Sequence, residues 1–355
     1  MRTTRSISLQ SGRHDQARPR PGMVRWHYGR GMSVSGTSTD TVSTSSTHAS
    51  LDLKITVAIS TRNRGALIDE TLQKLLQLTY PHMEVLIVDQ STDDRTRQTV
   101  GEVAAGDPRV QLTPSNTVGL PVGRNLALSG AHGDVIAYTD DDCIVSDNWL
   151  EALAREFQDP RVAAVFGRLL PWEGAERTGI ETGYKPTLER VVHERPTPPW
   201  WVGHGGNMAF RRDVLLAMGG FDPLLGAGCP LRSGEDSDII HRLLREKKRI
   251  VYCPEALAYH KQWKSWVEQT AMERAYGIGV GAQCGKYIRS GDADGYRFLS
   301  AWVWQLGVRR MAAGVLKWRN PKVVHLGYCQ LIYPWVGIWK SLRHKIDRTK
   351  GVYIA

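Results

Sequence analysis

The sequence has few cysteines, and they do not form a recognisable framework. Its 355 residues include five cysteines, an odd number, and no two of them stand at C-x-x-C spacing. This usage argues against a disulfide framework and a zinc cluster, and it is typical of a reducing compartment. The five positions are Cys143, Cys229, Cys253, Cys284 and Cys329.

Long apolar runs are also missing. No uninterrupted apolar stretch reaches the length of a membrane span. Residues 1–50 contain no apolar segment of the kind found in secretory signals. With the cysteine usage, this predicts a cytoplasmic protein, with any membrane contact being peripheral.

Acidic residues are outnumbered, and the formal net charge is +10. Such an excess favours anionic partners, namely nucleic acid, anionic lipid or phosphorylated substrates. Residues 1–50 are rich in Arg, Ser, Thr and Gly, and 33–50 are almost wholly small and polar. We predict that this segment is disordered, because it cannot bury enough surface to offset its ordering entropy. Met23 and Met32 are alternative start positions.

Apolar runs alternate with helical patterns after residue 51. Leu67, Leu72, Leu75 and Leu76 recur at helical spacing, and residues 91–94 read as the cap of a second helix. Continuous apolar strands indicate a parallel sheet with helices on both faces. The predicted strands are Ile55–Ser60, Val85–Asp89, Val110–Leu112 and Val135–Thr139.

An acid triplet, Asp140-Asp141-Asp142, follows the last of these strands. Three adjacent carboxylates repel one another, and a divalent cation with oxygen ligands such as Mg²⁺ or Mn²⁺ is their natural partner. The alternative is a solvated loop that caps a helix starting near Asp147. The buried strand before the triplet favours the metal.

Polar side chains follow two other strands as well. Asn63 and Asp89 stand at strand ends, and the triplet shares their edge of the sheet. Ligands of open α/β sheets bind at this edge, so we expect a nucleotide there. A Rossmann dinucleotide enzyme is the rival, but no G-x-G-x-x-G follows the first strand.

Several short motifs lie along residues 59–260. They are 59–64 (ISTRNR), 88–93 (VDQSTD), 123–125 (GRN), 139–142 (TDDD), 205–212 (GGNMAFRR), 219–222 (GGFD), 234–238 (GEDSD) and 259–260 (YH). Together they resemble family-two glycosyltransferases of the GT-A fold over about residues 54–265. The resemblance implies a mostly parallel sheet flanked by helices, with a Rossmann-like nucleotide half and an acceptor half. The chain is therefore predicted to consist of the disordered segment 1–50, a GT-A domain 51–265 and a C-terminal helical region 266–355.

The resemblance also implies a donor and metal site. A nucleotide sugar is expected as donor, and a UDP-sugar by family habit. Mn²⁺ or Mg²⁺ would be held by Asp142, with Asp140 and His260 nearby; a lone histidine can equally be a surface or core residue. The nucleotide would be bound by Thr61, Asn63, Arg64, Asp89, Arg124, Asp140 and Asp141.

Catalysis is assigned to the acids that open a helix. In the family an acid at this place is the base, and we predict Asp236 for that role, with Glu235 in support. One carboxylate suffices for a single displacement with inversion; the alternative is capping of the helix N-terminus. Sugar or acceptor contacts are predicted at Gly205, Gly206, Asn207 and Trp201. The alternatives are a turn without a ligand for residues 205–207 and simple packing for Trp201.

The chain departs from processive family members. They carry a Q-x-x-R-W pattern and several membrane spans. The nearest stretch here, residues 262–266, has Ser265 where the arginine would stand. A single-transfer enzyme of glycan or cell-envelope biosynthesis therefore fits better than a polymerising synthase.

The C-terminal region is basic and rich in tryptophan. This composition is typical of helices that lie in a membrane interface, here an anionic one. A helical lid or a dimer contact is the alternative. The apolar positions include Trp302, Trp304, Leu316, Tyr328, Ile332, Trp335 and Trp339, and the basic ones include Arg309, Arg310, Lys317, Arg319, Lys340, Arg343 and Lys345.

Two other functions compete with sugar transfer. A nucleotidyltransferase should show a glycine- and lysine-rich loop after the first strand, which residues 61–65 do not resemble. A non-catalytic carbohydrate- or nucleic-acid-binding protein would not need both sets of acids. The predicted acceptor is a hydroxyl of a glycan, a lipid-linked glycan or a small molecule, and nucleic acid is not expected as a partner.

Overall fold

The structure is a computed structural model that describes residues 52–172, 180–181, 187–261 and 263–354. The predictions of disorder and of alternative starts within residues 1–50 lie outside the described residues.

Among the described residues, nine strands form the central sheet, in the order β3-β2-β1-β4-β9-β6-β10-β5, with β8 paired to β10. β1 to β4 are mutually parallel, as are β6 and β10, whereas β5, β8 and β9 run antiparallel to their neighbours. The strands are β1 (Ile55–Thr61), β2 (Met83–Asp89), β3 (Val110–Pro114), β4 (Val135–Thr139), β5 (Cys143–Val145), β6 (Val162–Pro171), β7 (Ile180–Glu181), β8 (Val191–His193), β9 (Asn207–Arg211), β10 (Arg249–His260), β11 (Trp263–Lys264), β12 (Ile346–Asp347) and β13 (Val352–Tyr353).

Helices cover both faces of the sheet and make up most of the C-terminal region. A 3₁₀ turn spans Pro199–Trp201, and a π-helical turn, Val303–Val308, joins α8 to α9. The α-helices are α1 (Gly65–Leu76), α2 (Arg95–Gly106), α3 (Leu120–Gly130), α4 (Trp149–Glu156), α5 (Arg212–Ala217), α6 (Glu235–Arg245), α7 (Trp266–Arg289), α8 (Asp294–Trp302), α9 (Arg309–Leu316) and α10 (Pro321–Ser341).

The predicted sheet with flanking helices and a C-terminal helical region is confirmed. All four predicted strands are present, and β1 to β3 extend beyond the predicted bounds by one or two residues. The N-cap of α2 is Asp94, within the predicted stretch 91–94, but the expected acids in the first turn are wrong, because α2 begins at Arg95. Ser91 is diverted from capping, since its Oγ accepts the backbone N–H of Asn63 at 2.8 Å.

Successive side chains of β1 lie in two different hydrophobic cores, because they point to opposite faces of the sheet. Ile55, Val57 and Ile59 lie in the core beneath α1, α2 and α4. Ala58 lies in the other core, with residues of α3, α5 and α6. Both faces are therefore covered, which explains why these strands are continuously apolar.

α7 joins the C-terminal helices to the domain that carries the sheet. A smaller core packs Trp200, beside the sheet, against Phe298 and Trp302 of α8. α10 crosses α7 at Gly281, where an added Cβ would lie 1.8 Å from the backbone oxygen of Pro334. Among the described residues, no helix combines the length and apolar character that crossing a membrane requires.

Candidate active site

Three parallel strands end at one edge of the sheet and bring the predicted donor residues together. Thr61 ends β1 opposite Asp89 at the end of β2. β4, the other neighbour of β1, ends at Thr139 and leads directly into the acid triplet. The site is thus assembled at the carboxyl ends of the strands, where ligands of such sheets bind.

The acids of the triplet have different surroundings. Asp141 is buried; its Oδ2 accepts the Thr61 hydroxyl at 2.7 Å, and its Oδ1 lies 2.9 Å from Nη1 of Arg64. Burial raises the pKa of Asp141 to about 6, although Arg64 and Thr61 act in the opposite direction. The Asp140 side chain is 30% exposed. Asp141 therefore faces the protein, whereas Asp140 remains accessible.

Asp142 lies against a histidine that arrives from a distant strand. β10 runs antiparallel to β5, and their register pairs His260 with Cys143. This places His260 Nε2 3.4 Å from Oδ1 of Asp142. Burial disfavours the ionised carboxylate, but His260 and Arg64 outweigh burial and hold the pKa of Asp142 well below its usual range.

Four side chains lie close enough together to be considered as ligands for the predicted metal. Ligand atoms of Asp140, Asp142, Cys143 and His260 lie within 4.8 Å of one another. Burial raises the pKa of the Cys143 thiol well above its usual range, so this side chain is neutral and a poor ligand. Two carboxylates and one imidazole form a donor set that fits Mn²⁺ or Mg²⁺.

Arg64 supplies a positive charge at this site. Its Nη2 lies 2.6 Å from Oδ2 of Asp142, while Nη1 pairs with Asp141. The loop that carries it contains Asn63 in the left-handed region, with φ of 56°, which asparagine adopts more readily than most residues. Asn63 Oδ1 accepts the backbone N–H of Thr92 at 2.8 Å, so this amide holds the loop in place.

Asp89 keeps one carboxylate oxygen unused. The side chain is buried, and its Oδ1 accepts the backbone N–H of Ser91 at 2.9 Å. Across the described ranges, its buried Oδ2 has no hydrogen-bond partner. Leaving such an acceptor unsatisfied costs about 1–3 kcal/mol, so this oxygen is suited to a donor group on a ligand.

Arg124 connects the triplet to the acids of α6. Its guanidinium is buried and donates to Glu235 Oε1 at 2.9 Å, to Asp140 Oδ1 at 3.2 Å and to the backbone oxygen of Gly205 at 3.0 Å. These three contacts join the donor side of the cleft to its opposite wall. Arg124 therefore lies within the predicted site, but its hydrogen-bond donors face protein groups.

The two acids at the start of α6 face different ways. Glu235 is buried against Arg124, and burial, together with the neighbouring Asp236, raises the pKa of Glu235 to about 7. Asp236 is half-buried, and its Oδ2 accepts the backbone N–H of Gly205 at 2.9 Å. The two carboxylates therefore differ in burial, and Asp236 is the more accessible one.

The glycines before β9 allow the backbone to approach these charged groups. An added Cβ at Gly205 would lie 3.1 Å from Arg124 Nη1 and 3.3 Å from Asp236 Oδ2. At Gly206 it would lie 3.0 Å from Oδ2 of Asp140. A side chain at either position would crowd the wall between the triplet and α6, which explains the glycine pair.

The other two predicted acceptor residues differ in accessibility. Asn207 is fully buried; its Nδ2 donates to the backbone oxygens of Arg168 and Ala256, and its Oδ1 accepts the Trp149 indole N–H. Its amide thus ties β9 to the neighbouring strands and α4 rather than facing the cleft. Trp201 is 40% exposed, which leaves part of its ring accessible to a ligand.

A buried ion cluster behind the site escaped the sequence analysis. Lys286 Nζ lies 2.6 Å from Asp222 Oδ2 and 2.6 Å from Asp238 Oδ1. The backbone N–H of Tyr353 also donates to Asp222, at 2.8 Å. The cluster fixes the first turn of α6 to α7 and to the C-terminal hairpin. Both acids belong to recognised motifs, but nothing local signals a lysine 64 residues away.

A GT-A sheet with an acid cluster at its carboxyl edge and a second carboxylate opposite is the arrangement expected of a glycosyltransferase. Residues 56–219 match the family model for glycosyl transferase family 2, and this part of the chain is a family-two glycosyltransferase domain. The family predicted from the motifs is thus confirmed.

Relatives of known name agree with this class. The glucosyl-dolichyl phosphate glucuronosyltransferase of Haloferax volcanii is 26% identical over 229 residues, which cover 59% of this chain and 69% of that protein. The probable glycosyltransferase YdaM of Bacillus subtilis is 24% identical over 244 residues, which cover 61% of this chain. The chain spans about half the length of YdaM, namely 53%.

A solved structure supports the fold. The mannosyltransferase PcManGT from Pyrobaculum calidifontis, in complex with GDP-Man and Mn²⁺, superposes with a TM-score of 0.57 at 20% identity. The match covers 81% of this chain and 87% of that chain, so the likeness extends beyond the residues matched by the family model.

Proposed function

We propose that this protein transfers a sugar from a nucleoside-diphosphate sugar to an acceptor hydroxyl, with a divalent metal and with inversion. The observation that carries the proposal is the division of acids across one cleft. Asp140, Asp142 and His260 converge on one side, Asp236 lies on the other, and Arg124 connects the two sides.

Asp142, Asp140 and His260 would hold the metal. Mn²⁺ or Mg²⁺ bound there supplies Lewis-acid stabilisation of the leaving diphosphate. The occurrence of Mn²⁺ and GDP-Man together in the Pyrobaculum mannosyltransferase supports this assignment. In this proposal Asp141 supports the loop, since both of its oxygens already contact Thr61 and Arg64.

The nucleoside would bind at the ends of β1 and β2. The unpaired Oδ2 of Asp89 accepts a hydrogen bond from the base or the ribose, and the loop at Thr61 and Asn63 lies beside it. UDP is the first choice of nucleotide. GDP is the second, because the structural neighbour is bound to GDP-Man.

Arg64 changes partner in this scheme. Without ligand it neutralises Asp141 and Asp142, in the place where a cation is expected. With a metal held at Asp142, the guanidinium would be available to donate to the incoming diphosphate. Arginine suits this exchange because its planar group pairs equally well with carboxylate and phosphate.

Asp236 acts as the base. It removes the proton of the acceptor hydroxyl while the hydroxyl oxygen attacks the anomeric carbon. The bond to the diphosphate breaks in the same step, and its electron pair leaves with the nucleoside diphosphate. Glu235 supports the site through Arg124 rather than by contact with the acceptor.

A lipid-linked glycan is the acceptor class we favour. The Haloferax volcanii relative is named for a glucosyl-dolichyl phosphate, which supports an acceptor of this kind. The backbone at Gly205 would contact it, since its N–H donates to Asp236, and the exposed ring of Trp201 is the proposed aromatic contact. The proposed location is the cytoplasm, in keeping with five free, buried cysteines.

Asp236→Asn tests the proposal, because it keeps the shape of the side chain but removes the proton acceptor. General-base catalysis contributes about 10²–10⁴-fold in rate, so the single-turnover rate should fall by about that factor. Donor and metal affinity should stay near the wild-type values. Glu235→Gln, the matched control, should lose less. A near wild-type rate for Asp236→Asn would contradict the assignment of the base.

A further inference from the structure

α10 has two apolar faces on opposite sides. One packs against α7 and α9 and is buried; it comprises Val323, Leu326, Gly327, Gln330, Pro334 and Gly337. The other is exposed and continues into the C-capping residue Leu342. We call it the outer stripe, and it comprises Tyr328, Ile332, Trp335, Trp339 and Leu342. A helix that only packs on a domain needs one apolar face, so the outer stripe requires a separate explanation.

The outer stripe is continuous along the helix. Its members alternate at steps of four and three residues, which keeps them within one narrow face. Over 14 residues this face is about 21 Å long, at ~1.5 Å per residue. Trp335 and Trp339 are 54% and 55% exposed, so their large rings remain in contact with water.

A second exposed apolar line lies on the neighbouring helical segment. Trp304, Val308 and Val315 are exposed there, again at helical spacing. This segment and α10 approach closely at Gly307 and Gly327, where an added Cβ would lie within about 3.3 Å of the other backbone. The two lines therefore lie on helical segments that pack against each other.

The charge carried by this part of the chain has a single sign. Residues 295–346 contain nine Lys and Arg residues and no Asp or Glu. Arg310 is buried and paired with Glu273, and Arg297 pairs with Asp294, so the other seven supply the surface charge. Two exposed cations lie over exposed rings, with Arg343 4.0 Å from the Trp339 ring centroid and Lys317 5.7 Å from that of Trp318. Aromatic rings interleaved with cations are typical of segments that rest in the headgroup region of a bilayer.

From these observations we infer that the outer stripe rests on the surface of an anionic lipid bilayer. A basic surface attracts anionic lipid by about 1 kcal/mol per Lys or Arg close to the membrane. A second copy of this face would bring two basic surfaces together. Residues 1–50, with seven Arg and two Asp, are basic as well and do not complement it. Anionic lipid is therefore the occupant that the charge favours.

This attachment would bring the catalytic side of the protein close to the membrane. α7 lies between α10 and the start of α6: Gly281 approaches Pro334 on one side, and Gly279 approaches Ser233 on the other. Ser233 immediately precedes the Gly234–Asp236 turn that carries the catalytic acids. Two packed helices, α10 and α7, thus separate the proposed membrane surface from the acid pair. The inference does not depend on the proposed reaction, because vesicle binding needs neither donor nor acceptor.

Vesicle flotation of the full chain tests the inference. Vesicles of phosphatidylcholine alone are compared with vesicles containing phosphatidylglycerol, at low and high salt. We expect flotation only with the anionic vesicles, weakened by salt because exposed charges are screened. Trp335→Ser/Trp339→Ser should reduce the bound fraction by about tenfold or more, since interfacial binding scales with buried apolar area.

A matched control removes exposed apolar side chains elsewhere. Tyr296 and Leu188 are 63% and 72% exposed and lie outside the stripe, so Tyr296→Ser/Leu188→Ser should float like the wild type. Circular dichroism of each variant confirms that it is folded. The inference is overturned if the wild type stays in solution with anionic vesicles at low salt, or if the tryptophan variant floats unchanged. A wild-type dimer that the tryptophan variant converts to a monomer would assign the stripe to self-association instead.

Discussion

Replacing Arg64 by methionine separates the proposed partner exchange from a purely structural role. Arg64→Met keeps the length of the side chain but removes its charge and its donors. In the wild type, a metal that binds Asp142 competes with the positive charge of Arg64, whose Nη2 contacts Oδ2 at 2.6 Å. The variant has no such contact, so Mn²⁺ should bind the free protein more tightly.

The structure sets the size of this effect. Hydrogen bonds to charged groups contribute about 1.5–3 kcal/mol when buried, but the Arg64 side chain is 32% exposed, so solvent screens the pair. A net competition of about 1 kcal/mol corresponds to roughly a fivefold gain in Mn²⁺ affinity. Donor affinity should change the other way, by about tenfold, because a charge-assisted contact to the diphosphate is lost.

Two titrations measure these changes. The electron paramagnetic resonance signal of free Mn²⁺ reports metal affinity without nucleotide, and calorimetry with UDP or GDP at saturating Mn²⁺ reports nucleotide affinity. Arg62→Met is the matched control, because Arg62 donates to the backbone oxygen of Gln90 and not to the acids. If both affinities fall in Arg64→Met, the residue only supports the loop, and the exchange is refuted.

Three further predictions concern stability. Lys286→Met leaves Asp222 and Asp238 buried without their cation, and it should lower the free energy of unfolding in urea by about 3–5 kcal/mol. Glu235→Gln mimics the protonated acid. The pKa of Glu235 is raised to about 7 in the folded protein. Protonated Glu235 therefore contributes favourably to the free energy of unfolding, fully below the pKa of the unfolded chain, and this contribution is lost as the pH rises through 7. The stability of Glu235→Gln relative to the wild type should therefore increase between pH 5 and pH 8, and a flat difference would contradict the raised pKa. Asn207→Ala should lower the melting temperature in the absence of any ligand, since its three hydrogen bonds are internal; an unchanged melting temperature would argue against that structural role.

Much of the donor half could be predicted from the sequence because its information is local. The continuous apolar runs identified β1, β2 and β4, and their polar ends identified the edge at which Asp89 and the triplet lie. Parallel strands of one sheet have their carboxyl ends at the same edge, so these polar ends must lie close together.

The partners within the site could not be predicted in the same way, because they depend on distant pairings. His260 reaches Asp142 only because β10 lies beside β5, a pairing between strands more than one hundred residues apart. Adjacent acids in a chain give no sign of which one turns inward, yet Asp141 faces Thr61 while Asp140 stays accessible. The burial of Arg124 between two carboxylates is equally a property of the folded chain.

The C-terminal region shows a third case. Its composition predicted helices and an interface, but not which aromatic rings would remain exposed. In α10, Trp335 is exposed while the adjacent Pro334 is buried, and only the packing against α7 distinguishes them. The predicted membrane contact becomes specific once that face is known.

The central claim is that Asp142 holds a metal which makes the donor site competent. The most direct test is calorimetric titration of UDP and of GDP into wild type and Asp142→Asn, each with Mn²⁺ and with excess EDTA. We predict that the wild type binds one of the two nucleotides, and only when Mn²⁺ is present. Asp142→Asn should bind neither UDP nor GDP, with Mn²⁺ or with EDTA. Equal nucleotide affinity with Mn²⁺ and with EDTA in the wild type would contradict it.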